Sequence, residues 1–147
     1  MKRLEVPIRY IITTVILLIG GNLAAQSNQL IDTVLAQDHI TYGNAATLLA
    51  TAATPTGNDG TNSTTTFDYP DDHPLTLGEF SLMVMQTFDI PGGIAYSALA
   101  SPRYAARELA FRNIVQGHSY PRMAVSGERA MRIIGRVLAL EEEGTLR

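Results

Sequence analysis

Among the side chains able to do chemistry, arginine is the type whose spacing carries a pattern. Arg103 and Arg107 are four apart, as are Arg132 and Arg136. Residues four apart share a helix face, so each pair would present two guanidinium groups together, a fork suited to carboxylates or phosphates on an anionic polymer or partner. The competing reading is intrahelical pairing, of Arg107 or Arg112 with Glu108 and of Arg132 with Glu128, which leaves only a solvated face. Arg122 and Arg129 add to a second half far more basic than the first, where aspartate dominates.

The other candidates for catalysis or metal binding are scattered. His39, His73 and His118 each stand in a loop-forming stretch, with no second histidine or carboxylate at the spacing of a helical metal site. Asp68, Asp71 and Asp72 cluster, but without the alternating oxygen donors and fixed glycine of a calcium loop. There is no G-x-S-x-G, no glycine-rich phosphate loop and no H-E-x-x-H, and the serines stand mostly where helix caps are needed. The sequence therefore predicts no enzyme, no cofactor and no metal site.

The elements that must position the arginines begin at recognisable caps. Leu30, Ile31, Val34 and Leu35 mark a short amphipathic helix over 28–37, and Thr41 caps a second running from Tyr42 to about Ala53. Thr76 and Glu79 form a capping box, with Leu75 and Phe80 placed to staple the entry and Leu82, Met83, Met85 and Phe88 extending an apolar stripe. Ser101-Pro102 opens a further helix, whose inward stripe is predicted to use Tyr104, Ala105, Leu109 and Phe111 and whose end is set at Gly117. Ser126 caps the last, with Ala130, Ile133, Ile134, Val137 and Leu138 facing inward. Glu141 to Glu143 put anions at its C-terminal end, against the helix dipole, and predict fraying there.

Upstream, Lys2, Arg3 and Arg9 precede the apolar run Tyr10 to Ile19, then Gly20-Gly21 and Ala24-Ala25, the order of a secretory signal. Leu23 is less suited to cleavage than alanine, so an uncleaved anchor stays an alternative, and it is the chain's only expected tie to a membrane. The chain has no cysteine, which excludes disulfides, thiolate metal sites and a lipid-modified cysteine, so an exported domain must be held by its core. With 46% apolar residues that core is feasible, and a formal net charge of -3 gives no reason to expect nucleic acid or an anionic membrane surface as a partner. The organisation read from the sequence is a signal over 1–25, a helical unit over 26–53, a linker over 54–74 in which Phe67 and Tyr69 can pin the chain to a surface, a helical domain over 75–140 and a tail over 141–147. The fold class is all-α, a small helical bundle.

Three segments align: Ile40-Thr41-Tyr42-Gly43, Leu75-Thr76-Leu77-Gly78 and Val125-Ser126-Gly127-Glu128, each an aliphatic residue, a hydroxyl cap and an apolar helix. Between the last two falls a shorter helix ending in Ile114-Val115-Gln116-Gly117. This order resembles the surface-layer homology (SLH) domain, in which a helix opened by Thr-Arg-Ala-Glu is followed by a loop, a short helix ending in glycine and a proline-containing turn. The resemblance implies a three-pronged helical bundle of helix-loop-helix units, exported to the periplasm or cell envelope and binding wall-linked polysaccharide. In that family the motif arginine helps line the glycan groove; here its positions hold Tyr42, Leu77 and Gly127, and only Glu79 matches the family glutamate. The function expected is a non-catalytic docking module for cell-wall polysaccharide or peptidoglycan, or for an envelope protein, with Arg103, Arg107, Arg132 and Arg136 as its binding residues. The alternative is a small structural or regulatory subunit of a periplasmic assembly.

Overall fold

The computed structural model describes residues 29–53 and 67–146. By its internal contacts the chain divides into residues 1–33 and a compact unit from Val34 to Arg147. Of the first, residues 29–33 are described; they are helical, and the Thr33 hydroxyl donates to the Gln29 carbonyl at 2.7 Å. The signal read over 1–25 lies outside the described residues.

The chain is all-α. Helix α1 is described over residues 29–35, α2 spans Tyr42–Ala53, α3 Leu77–Thr87, α4 Ile94–Ala98, α5 Pro102–Phe111 and α6 Gly127–Glu142. Helix α3 is the centre of the packing: Leu77, Gly78 and every residue from Phe80 to Met85 are buried, so it is covered on all sides rather than along one stripe. It lies chiefly against α5, while α2 touches both α3 and α6. Ala105, Ala106 and Leu109 of α5 and Ile133, Ile134 and Val137 of α6 complete the core.

The three aligned segments meet. The Ile40 N–H donates to the Val125 carbonyl at 2.8 Å, the Leu75 N–H to the Ile40 carbonyl at 3.0 Å, and the Val125 N–H to the Leu75 carbonyl at 3.4 Å. These bonds close a ring with the symmetry of a three-bladed junction, and all three aliphatic side chains are buried in it. Single antiparallel bridges, Thr41 with Pro74 and Thr76 with Ala124, run alongside. Each prong's helix then starts against a neighbouring turn. Tyr42 and Gly43 donate to the carbonyls of His73 and Asp71, Leu77 and Gly78 to those of Met123 and Pro121, and Gly127 to that of Gln37. The amides that an α-helix leaves unpaired in its first turn are thus satisfied by the next prong.

Several sequence expectations are corrected here. Among the described residues from Val34 on, α2 packs on α3 and the 67–74 turn holds α2's start, so the helical stretches read on either side of the linker are in contact. The end placed at Gly117 lies instead at Phe111. There Asn113 takes φ 57°, its N–H donates to the Ala110 carbonyl and that of Ile114 to the Leu109 carbonyl, the Schellman pattern with asparagine in the left-handed position. Phe111 consequently points away from the core and is 83% exposed, Tyr104 is half-buried, and Ala106 joins Ala105 and Leu109 inside. The same motif closes α3 at Asp89 (φ 48°) and α6 at Gly144 (φ 69°). At α6 it replaces the expected fraying with a defined stop after Glu142, and the supposed tail folds back to bury Leu146. Helix α4 had no counterpart in the sequence reading.

Candidate functional site

Glycine at the second position of α3 lets two other segments close in. A Cβ on Gly78 would stand 3.0 Å from Pro102 Cβ, from the Pro102 carbonyl and from the Pro121 carbonyl. The start of α5 and the turn at Pro121 therefore lie directly against the start of α3. Between these three segments opens a groove of about 780 Å³, its walls formed by Thr76 and Glu79 of the capping box, Ser101 to Arg103, and Tyr120 to Arg122.

The cap itself is well ordered by bonding. Thr76 Oγ1 accepts from the Glu79 N–H at 3.4 Å, and Glu79 Oε2 accepts from the Thr76 N–H at 2.8 Å and from its hydroxyl at 2.7 Å. Tyr69 donates its hydroxyl to Glu79 Oε1 at 3.0 Å and is stacked between Phe67 and His73, so the 67–74 stretch is pinned as its aromatics suggest. Partial burial pushes the Glu79 carboxyl up, but the hydrogen bonds from Thr76 and Tyr69, with His73 nearby, outweigh it and hold the group below its ordinary range. A depressed folded-state value stabilises the protein fully above the unfolded carboxyl's range, and that stability is lost as pH falls through the folded value. Acid melting should therefore show a wild-type loss that Glu79→Gln lacks, with the variant about 1 kcal/mol less stable at neutral pH; parallel pH curves for the two would refute it.

The opposite wall is held by two arginines of α6, of which Arg136 is one that the sequence offered as a binder. Arg129 of α6 donates to the carbonyls of Gln116, at 3.2 Å, and His118, and to Met123 Sδ at 3.3 Å. Arg136 donates to the Ile114 carbonyl at 3.1 Å and to Gln116 Oε1. Together they fasten the 114–123 loop to α6 and so fix where Tyr120 and Arg122 stand. Burial, and secondarily Arg132, push the Arg129 value down from its ordinary one.

Of the arginine pairs proposed from spacing, Arg132 and Arg136 are drawn to different partners. Arg136 is engaged with the loop, and Arg132 pairs with Glu128 at 2.5 Å on an exposed surface, an i,i+4 contact worth a few tenths of a kcal/mol. Arg112 binds Glu108 at 3.1 Å and the carbonyls of Leu146 and Pro91. Arg103 and Arg107 are exposed, with no hydrogen bond or ion pair to another described residue, but only Arg103 borders the groove. Its companion there is Arg122, from a different segment and likewise exposed. Spacing along one helix could not reveal that pairing, since it depends on the turn after Tyr120 returning to α3. Tyr120, 71% exposed, adds an aromatic face at the rim.

The prong junction at α2 shows the contrast. Where the Pro121-Arg122 turn faces α3, the Asp71-Asp72 turn faces the start of α2, so the corresponding position is acidic. The arrangement at α3 can clamp an anionic group between two guanidiniums, accept sugar-type hydroxyls at Thr76, Glu79 and Ser101, and stack a ring on Tyr120. Comparison of the chain with protein-family models, with curated proteins and with solved structures finds no match.

Proposed function

We propose that this chain is a non-catalytic module of the cell envelope that docks onto an anionic wall polymer through the groove between α3, the start of α5 and the Tyr120–Arg122 turn. The observation that carries the reading is the convergence of two arginines without described partners, Arg103 and Arg122, on one groove that also offers hydroxyls and an exposed tyrosine. The envelope setting rests on the signal-like N-terminus and on the SLH resemblance, to which the three-fold ring of Ile40, Leu75 and Val125 adds support. The departure from the SLH pattern is specific: the cations of this groove come from α5 and a turn, because the motif positions Leu77 and Gly127 are buried.

The test is co-sedimentation of the chain from Gln26 on with isolated peptidoglycan sacculi, before and after their secondary polymers are stripped. Binding should disappear on stripping, weaken with salt as the guanidinium contacts are screened, and fall at least about tenfold in Arg103→Ala with Arg122→Ala, since a hydrogen bond to a charged group contributes about 1.5–3 kcal/mol. Arg132→Ala should change little. Undiminished retention by the double variant would remove this groove as the docking site.

A further inference from the structure

A second surface lies apart from the ring. From Ile90 to Pro102 the chain contains no charged residue, and α4 within it buries none of its side chains. Ile94 is 93% exposed and Leu99 60%. Ile94 and Tyr96 share a groove with Tyr104, Arg107 and the outward-turned Phe111 of α5. Three large apolar side chains left in water on adjoining elements mark a surface meant to be covered.

The charges around it point to what covers it. Arg103 and Arg107, on α5, are exposed and have no partner among the described residues, whereas the one acid in the groove, Glu108, is already bound to Arg112. The polar groups of α4 are satisfied internally: Ser97 Oγ donates to the Gly92 carbonyl at 3.3 Å, and the N–H groups of Ser97 and Leu99 bond back to Gly93 and Ala95. A protein interface ordinarily needs a hydrogen bond for every 100–200 Å² or so. This surface instead offers aliphatic tips, tyrosines and arginines, the set that sits at a lipid headgroup boundary. No helix among the described residues is long and apolar enough to cross a membrane, so the contact would be with one leaflet.

We propose that the α4–α5 face seats on an anionic lipid surface, with Ile94, Leu99 and Phe111 dipping below the headgroups and Arg103 and Arg107 bound to their phosphates. This inference does not rest on wall binding, although it shares Arg103. The net charge of -3 hides the patch, because the acidic residues other than Glu108 lie on other segments.

The chain has no tryptophan, so a single one becomes a local reporter. In the full chain, Ile94→Trp should shift its emission to the blue on adding phosphatidylglycerol vesicles. It should partition at least about tenfold less onto phosphatidylcholine, given about 1 kcal/mol per arginine at an anionic surface. Arg103→Ala with Arg107→Ala, added to the reporter, should erase that preference. Phe111→Trp is the second reporter should the first disturb folding, and Ala139→Trp, exposed on α6, should not shift. Because emission reports the immediate surroundings of the ring, insertion of the apolar N-terminal run does not reproduce the effect. Unchanged emission at both 94 and 111, or an equal shift at 139, overturns the proposal. So does a blue shift that follows protein concentration without vesicles together with a doubled mass, which assigns the face to a second copy.

Discussion

Gly127→Ala should lower the melting temperature by at least about 10 °C, equivalent to roughly 3 kcal/mol or more in a domain of this size. A Cβ built at Gly127 would lie 1.6 Å from the Val34 carbonyl oxygen and 2.5 Å from its carbon. Neither atom is the end of a flexible side chain, so the backbone of one segment must move. Movement here also breaks the Gly127 N–H bond to the Gln37 carbonyl, through which the start of α6 is tied to the stretch after α1. Overpacking in a core usually costs about 1–3 kcal/mol because side chains can shift; against a main chain the cost should exceed that. Gly135→Ala, in the same helix, is the control. Nothing lies within 4 Å of a Cβ there and the position is exposed, so relief of glycine's poor helix propensity should gain up to about 1 kcal/mol. Thermal melts giving the two alanines the same sign would sink the account.

The second large effect concerns the arginine that the SLH pattern places after the cap. Leu77→Arg should leave most of the protein unfolded at ambient temperature. Leu77 is completely buried at the first position of α3, and its N–H donates to the Met123 carbonyl at 2.7 Å. Removing the leucine forfeits about 1.5–3 kcal/mol of burial. A guanidinium put in its place must either stay inside uncompensated, at a cost of several kcal/mol, or swing out and pull the first turn from the Met123 carbonyl. A cation in the first turn also opposes the helix dipole. The sum approaches the whole stability of a small domain. Tyr42→Arg, at the equivalent position of α2, should cost less, about 1–2 kcal/mol: Tyr42 is half-buried, and the losses include its hydroxyl's bond to the Phe67 carbonyl at 3.1 Å and an edge contact with Tyr69. Circular dichroism melts of the two variants compare them directly; a folded Leu77→Arg protein would show that the motif position can be re-opened.

How far the sequence was readable follows from the range of the interactions. The caps at Thr76 and Ser126 are local, each a side chain answering an amide three residues on, and so are the apolar spacings of α2, α3 and α6; these were legible. The Thr76–Glu79 box stands as read, whereas Ser101 starts α5 without a side-chain cap bond, the proline alone fixing the first turn. The end of α5 was misplaced because glycine is the commoner left-handed residue, and Asn113 took the role four residues earlier. The groove was not legible at all as a unit. Arg103 and Arg122 are brought together by Gly78 and by loop bonds from Arg129 and Arg136, contacts between segments far apart along the chain. Arg132 and Arg136 satisfied the spacing rule, yet one is spent on Glu128 and the other on the loop.

The ring of Ile40, Leu75 and Val125 sets how the chain must assemble. In a stacked repeat protein each unit touches only its neighbours, and stability grows by addition from any starting point. Here the first and last prongs are also neighbours, so no prong is terminal and none finds its full set of partners until all three are present. Closing the ring requires connections from Ile40 to Leu75 and from Leu75 to Val125, and loop closure must be met before those contacts return anything. Local helices therefore form first and the junction last, which makes folding a single cooperative event and slower than the helical content alone would suggest. A nascent chain lacking its last prong has the start of α3 open, and it acquires its groove only once α6 has been made.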